Sequence, residues 1–533
     1  MFTQKAVTRS AGTMMALIML SRLFGLVRDM AISNWFGQGR NTDVYVAAFR
    51  LPDVLFYLIA GGVLSSAFVP VFVDHISNGR REEGWKLFSI VGTVLTIVIG
   101  VFVILGEVFT RQLVQVAAAP GFTGAELDQV AHLTRIILPA QLFFFMGGLM
   151  MASLWAHQQF VAPGLGPSIY NIGIIIGGSI AGARFGPQGI EGLAWGALAG
   201  AFLGNFVLQF IVLRRYGMTF RPSLDVRHPD AVRVWKLMLP VILSLSLPQV
   251  DVYFNGLFAS YLPGGIVSAL ERANRLMQVP VGIFGQAIAI GFYTTLAAQY
   301  ATNQMKEFRE TINYGLRAIA FVSIPSTVAL LVLGTPIVQV FLQQGKFPPS
   351  ATHKVSTALV FYSIGIFSWS AQALIARSFY SMNQTKVPMW TGTVMTAIFL
   401  PMSLGLMRLL GYVGLPLATT IAVSGHAAMM LYLLRQKAGG IGAKQILLSA
   451  GKILVASSVM GLAMWSVLGF LQHSSLSHLP FKVAAGIRLM IPLSAGMLLF
   501  IAAIHVLQVE ESATVWKMIK HRVSGSGGAS ASK

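Results

Sequence analysis

The chain of 533 residues contains no cysteine, which excludes disulfide staples, thiolate metal sites and a cysteine nucleophile and leaves the redox compartment unread. Charge is scarce too: 11% of residues are Asp, Glu, Lys or Arg, against about 25% in ordinary soluble domains. Acids are the scarcer sign, 18 against 38 lysines and arginines. A short apolar leader with a small-residue cleavage site is missing, and the first apolar stretch runs past Arg22 and Arg28, so it is expected to stay as a helix. The sequence also lacks a metal-ligand cluster, a glycine loop followed by Lys-Ser/Thr, and a paired nucleophile and base. No catalytic residue, metal, cofactor or ATP site is therefore expected.

Apolar residues are abundant, at 55% of the chain with a mean hydropathy of +0.70. Runs of about 20 apolar residues, enough to cross a hydrocarbon core of about 30 Å, recur along nearly all of it. The fold class expected is an all-α polytopic membrane protein with about 14 transmembrane helices. Spans are expected near 10–36, 43–73, 87–110, 132–157, 160–183, 189–213, 235–260, 266–299, 311–343, 355–380, 387–409, 412–434, 446–472 and 482–508. The net charge of +20 reads as the positive-inside bias of such a protein and not as a nucleic-acid footprint. Basic residues gather in the even-numbered connections, for example Arg80, Arg81 and Lys86, then Arg214, Arg215, Arg221, Arg227 and Arg233. Both termini are accordingly expected in the cytoplasm, with the SGSGGASAS stretch a flexible tail.

Sliding the chain by 225 residues aligns Arg50-Leu51 with Arg275-Leu276 and SLWAHQQFVAP (153–163) with SFYSMNQTKVP (378–388). These matches predict two copies of six helices, 1–216 and 217–440, followed by two additional helices (441–508) and a tail (509–533). Six is even, so both copies enter the membrane in the same sense. Two parallel six-helix lobes around a cavity are an architecture of alternating-access carriers.

Charges inside apolar spans are the informative residues, because each costs about 2.5–3.5 kcal/mol at a helix centre on insertion scales. The first helix carries Arg22, Arg28 and Asp29, with Arg22 and Asp29 seven apart on one face. Arg28 reaches the ligand of Arg22 only if the helix bends near Gly25 or the long side chain swings round. Asp29 could hold an arginine between substrates. Arg50 and Arg275 occupy corresponding points of the two copies. Arginines from both copies suit a diphosphate, since the planar fork donates paired hydrogen bonds and keeps its charge. The bland alternative is that they snorkel to the interface or set helix register in salt bridges. Asp251, after Pro248 in helix 7, is a candidate for sodium or proton coupling. Glu107, Arg135, His157 and Arg377 read as interfacial, and Gly61-Gly62 and Gly177-Gly178 as packing glycines.

The segments SRLFGLVRD (21–29), TDVYVAAFRLPD (42–53), SSAFVPVF (65–72), APGLGPSIYN (162–171) and ANRLMQVPVGIFGQAIA (273–289), in this order over about 500 residues, resemble the MurJ (MviN) family of lipid II flippases in the MOP superfamily. The resemblance implies a bacterial cytoplasmic (inner) membrane protein whose last two helices form a groove for a polyprenyl tail. It implies as partners the undecaprenyl-diphosphate-linked disaccharide-peptide (lipid II), membrane lipids and cell-wall synthesis machinery, with no nucleic acid, and a monomer. Carried over by motif, the substrate-binding residues are Arg22, Arg28 and Arg275, with Asp29 beside them. Phe56 and Gly61 stand where several relatives have Arg and Glu in helix 2, a gap that Arg50 could fill. Asn255 and Ser403 stand where a sodium site is expected in some relatives, which puts sodium coupling in question and leaves a proton or the membrane potential as energy source. Competing readings are an oligosaccharide-lipid flippase or multidrug exporter of the same superfamily, and a polytopic glycosyltransferase or scaffold. An enzyme of that kind should carry carboxylates on an outer loop, where only Glu126 and Asp128 are found.

Overall fold

A computed structural model describes the backbone of residues 4–59, 63–473 and 478–512, and their side chains except at 4–15, 18, 57–59, 63–66, 239–251 and 294. Every regular element among the described residues is helical. Lipid demands this, because an open strand edge would leave N–H and C=O groups unpaired in hydrocarbon. Eight helices are long and apolar enough to cross a membrane, or nine if the bent pair Pro349–Ser363 and Ile366–Ser381 is one span. Two of the eight, Val161–Arg214 and Lys386–Ala438, run for 54 and 53 residues. At 1.5 Å per residue that is about 80 Å of helix, far beyond one crossing. Each folds back as a hairpin at a glycine, Gly186 (φ 60°, ψ −144°) and Gly411 (φ 66°, ψ −143°), in a region of backbone space that is nearly glycine-only. The expected spans at 10–36, 43–73 and 235–260 lie partly outside the described residues, and with them the count of fourteen.

The chain forms two compact units, Met1–Glu271 with Phe341–Ala351, and Arg272–Val340 with Thr352–Lys533. The first contains α1 (Gln4–Phe36), α2 (Arg40–Ala48), α3 (Arg50–Ile59), α4 (Val63–Ser77), α5 (Arg81–Val108), α6 (Thr110–Leu113), α7 (Gly124–Ile137), α8 (Ala140–Ala156), α9 (Val161–Phe185), α10 (Glu191–Gly200), α11 (Leu208–Arg214) and α12 (Pro229–Ala259). Helix α13 (Ile266–Pro280) runs from the first unit into the second, which continues with α14 (Gln286–Ala301), α15 (Met305–Phe341), α16 (Pro349–Ser363), α17 (Ile366–Ser381), α18 (Lys386–Leu410), α19 (Gly414–Ala438), α20 (Ala443–His473) and α21 (Phe481–Val506). This compact division falls later than the expected 216/217. Helix α12 packs on α3 and α4 within the first unit, and Asp230 at its start lies 3.0 Å from the buried His75 of α4.

Positions paired by the 225-residue shift end their helices in the same way. Gln158 after α8 and Asn383 after α17 are both left-handed, with φ of 60° and 57°. The amides of Gln159 and Gln384 then bond the carbonyls of Leu154 and Phe379 at 2.8 and 2.9 Å, the closure that satisfies orphan carbonyls at a helix C-terminus. Buried Ser153 and Ser378 each bond the carbonyl four residues back at 3.0 Å. Gly186 and Gly411, which turn the two hairpins, are also 225 apart.

Packing in the first unit depends on glycine. A Cβ on Gly173 would sit 2.6 Å from the Gly196 carbonyl oxygen, and one on Gly177 would overlap Gly192 and Gly196, so α9 and α10 touch backbone to backbone as small residues at four-residue spacing allow. Gly61-Gly62 lie outside the described residues. In the second unit the last two helices are fastened to α15 by charge. Arg317, inside that apolar helix, pairs with Glu510 at 2.5 Å and with Glu511, and Ser449 of α20 donates to Glu511 at 3.0 Å. The hydrogen bond from Arg317 holds the Glu510 carboxyl below its ordinary value. Val509 and Glu511 are buried, so the chain stays docked through residue 512 where a flexible tail was expected from 509. Beyond 512 the tail lies outside the described residues.

The hairpin turn gives a direct test. Gly411 has open space around it, so Gly411→Ala should cost about 1–3 kcal/mol through backbone strain alone. Gly405→Ala, at an equally open helical position, should cause no loss; thermal unfolding of the purified protein in detergent compares the two.

Candidate functional site

The apolar helix α1 carries its charges as an organised group. Arg28 donates from Nε (3.2 Å) and Nη2 (3.0 Å) to Asp29 Oδ1, and from Nη1 to Asn171 Oδ1 at 3.0 Å. Asn171, on α9, is fixed in turn by donating to the Pro167 carbonyl at 2.9 Å and the Ser21 carbonyl at 3.4 Å. Asp29 and Asn171 are buried. Helix α1 continues through Gly25, so the long Arg28 arm swings onto Asp29, the residue that shares a face with Arg22. A guanidinium has five donors. Three N–H groups of Arg28 are used here, and one on each terminal nitrogen remains for an anion.

Arg22 is exposed and has no hydrogen-bond or ion-pair partner among the described residues. In the second unit Arg275 is exposed on α13, and Arg272 on the same helix is buried. Asp251 sits on α12, its side chain outside the described residues.

Arg50 is different from the others. It is 8% exposed, donates from Nη1 to the Ala118 carbonyl at 2.5 Å, and feels the charges of Glu271, Asp43 and Asp53. A Cβ on Gly256 would come within 2.6 Å of its Nε, so α12 can lie against the guanidinium only because residue 256 is glycine. Nearby Asp43, fully buried, accepts from the amides of Gly265 (2.5 Å) and Ser268 (2.8 Å). It caps the start of α13, where four amides lack helical partners. Thr42 bonds the Gly39 carbonyl at 2.8 Å. Thr42, Asp43 and Arg50 of the TDVYVAAFRLPD segment all bond backbone groups within this unit.

The remaining sequence candidates also have clear positions. Phe56 packs edge-on against Phe144; Gly61 lies outside the described residues. Asn255 is buried, and Ser403 donates to the Leu400 carbonyl at 2.9 Å. His157 bonds the Ser153 carbonyl and stacks on Trp85, and Arg377 bonds the Ala373 carbonyl on its own helix. Arg135 bonds the carbonyl of Glu107 at 3.3 Å. Glu126 and Asp128, expected on an outer loop, lie on α7, and both are in ion pairs, Glu126 with Arg40 at 2.7 Å and Asp128 with Arg111 at 2.7 Å. Glu126 also raises the Arg40 guanidinium above its ordinary value through that hydrogen bond. Sequence reasoning missed Asn171, although it ends the APGLGPSIYN segment; a lone amide within an apolar span was the available signal.

A chain with several helices of membrane length and arginines inside its apolar segments is a multi-pass membrane protein, and its fold has solved counterparts. The chain matches a lipid II flippase MurJ in an inward closed conformation with a TM-score of 0.76 and 24% identity, covering 92% of this chain and 98% of that one. It matches an inward-facing multidrug resistance MATE transporter of the MOP superfamily with a TM-score of 0.65 and 15% identity, covering 80% and 98%. The family model described as "Lipid II flippase MurJ" matches residues 32–484, and the chain belongs to that family, one of transporters and not of enzymes. Relatives include the "Probable lipid II flippase MurJ" of Buchnera aphidicola subsp. Schizaphis graminum, 28% identical over 92% of this chain and 95% of that protein. The "Lipid II flippase MurJ" of Burkholderia cenocepacia is 26% identical over 80% and 84%.

The buried and the exposed arginine should part in a stability assay. Arg50→Ala strands the Ala118 carbonyl and should lose about 1–3 kcal/mol, as Gly256→Ala should by displacing the guanidinium, whereas Arg22→Ala should stay within about 0.5 kcal/mol of wild type. Unfolding midpoints of the three variants decide it.

Proposed function

We propose that this protein is a flippase for the lipid-linked peptidoglycan precursor lipid II, which it moves from the cytoplasmic to the outer leaflet of the bacterial inner membrane by alternating access. Family membership supports the substrate, and the arrangement around Arg28 supports the chemistry. A guanidinium held by Asp29 and Asn171 with two donors unspent is pre-oriented for a phosphate oxygen, which lowers the ordering cost of binding. Arg22 adds a second cation on the same helix, and Arg275 a third on α13. Arg50, committed to the Ala118 carbonyl, is assigned to the scaffold. The polyprenyl tail stays in the lipid phase, against α20 and α21, while the head group passes. Both termini face the cytoplasm, the protein acts as a monomer, and cell-wall synthesis enzymes consume its product.

The basic residues also argue against a multidrug exporter of cationic compounds, which should present acids to its substrate. Energy comes from a gradient or the membrane potential. A binding face of net positive charge is drawn toward the cytoplasm by an inside-negative potential, at about 2.3 kcal/mol per charge per 100 mV if fully across the field.

In a strain depleted of its own lipid II flippase, wild type should restore growth, and Arg22→Ala, Arg28→Ala and Arg275→Ala should each impair rescue while accumulating normally in the membrane. Wild-type rescue with full activity of all three variants would keep the flippase and remove these arginines from its site. Collapsing the membrane potential should slow transport; an unchanged rate contradicts the electrostatic drive.

A further inference from the structure

The second unit holds a polar cluster within its apolar spans that diphosphate chemistry does not use. At its centre is His426, midway along α19. Gln372 of α17 places Nε2 2.9 Å from ring Nδ1, and Thr391 of α18 places Oγ1 3.0 Å from Nε2. Thr391 can return its single hydroxyl proton to the Val387 carbonyl at 2.9 Å, as helical threonines do, leaving a lone pair toward Nε2. The ring is then the neutral Nε2–H tautomer, with Nδ1 accepting from the Gln372 amide.

The ring is satisfied, but its neighbour is not. Gln372 Oε1 is buried without a hydrogen-bond partner, and so is the indole nitrogen of Trp369 one turn earlier. Both side chains lie on α17 just after the 43° break from α16, and the carbonyls opened there are taken by Thr420 (2.7 Å) and Thr327 (3.0 Å). Broken helices at membrane depth line ion-coupling sites in carriers because they bring polar groups into the hydrocarbon region. The stranded oxygen has a specific use. Turning the amide about its last torsion presents Oε1 to Nδ1, and the ring can then take a second proton and donate from both nitrogens, to Gln372 Oε1 and Thr391 Oγ1. Other ionisable groups on the surrounding elements are His353, Lys354 and Tyr362 on α16, Arg377 and Tyr380 on α17, Lys386 and Arg408 on α18, Tyr412 in the turn, Tyr432, Arg435 and Lys437 on α19, Tyr293 and Tyr300 on α14, and Lys306, Glu307, Arg309, Glu310, Tyr314 and Arg317 on α15, which packs on α17 through Gly315. The carboxylates among them, Glu307 and Glu310, lie in the first two turns of α15 and neither is bonded to the ring, so each proton the ring binds adds a full charge to the unit.

We propose that His426 is an intramembrane proton-binding site, with Gln372 as its amide switch, and that it couples transport to a proton gradient. The coupling rests on the transporter reading above; protonation of the ring does not. The test uses purified protein in lipid nanodiscs with ring-13C histidine, His426 being assigned by difference from His426→Gln. The ring should pass from neutral to imidazolium between about pH 8 and pH 5. Gln372→Leu, which removes the acceptor, should move that transition to lower pH, and Gln372→Glu, which supplies a permanent one, to higher pH. A ring that stays neutral to pH 5, or that ignores both changes at residue 372, overturns the site. In proteoliposomes with a polyprenyl-diphosphate sugar as probe, a pH difference of one unit, about tenfold in proton activity, should alter the wild-type rate severalfold, and the ratio should fall to one in His426→Gln. A wild-type rate indifferent to the gradient, or an unchanged ratio in the variant, overturns the coupling. Absence of any wild-type translocation instead overturns the transporter reading, and the ring titration still decides the proton site.

Discussion

Hydrocarbon cannot satisfy a polar group, and this one constraint organises the molecule. Backbone amides and carbonyls must find partners inside the chain, which makes every described element a helix and forces each interruption to be repaired. Threonine hydroxyls close the break between α16 and α17, Asp43 caps the start of α13, and Arg50 answers the Ala118 carbonyl. The same constraint makes a poised charge informative. Arg28 remains in an apolar helix because Asp29 and Asn171 hold it, and the donors they leave unspent are what an anion can use.

Much of this was legible in sequence, for physical reasons. Apolar runs of membrane length identify the fold class because few other structures tolerate them. Arg22, Arg28 and Asp29 stood out because a charge within such a run is costly. The internal shift of 225 was readable because helix ends have narrow requirements, and Gln158 with Asn383 shows the requirement itself, a left-handed residue that polar amides tolerate. No sequence pattern tells that α12 packs against α3 and α4.

What sequence hid depends on distant partners. Arg317 lies inside an expected span, and the acids that justify it are 193 and 194 residues further on. The partners of His426 are 54 and 35 residues away. Arg50 looked like a ligand because its pairing with Arg275 by shift suggested a shared role, yet the fold buries one and exposes the other. Positions paired by the shift can thus differ in burial, and only packing separates them.

The central claim is that Arg22 and Arg28 recognise a diphosphate carried on a lipid. Native mass spectrometry of the purified protein with polyprenyl diphosphate and with the uncharged polyprenol tests it directly. Charge-assisted hydrogen bonds of about 1.5–3 kcal/mol each predict that a double Arg22→Ala, Arg28→Ala variant loses at least about tenfold in affinity for the diphosphate and nothing for the polyprenol. Equal loss for both lipids, or no loss for either, would contradict the account.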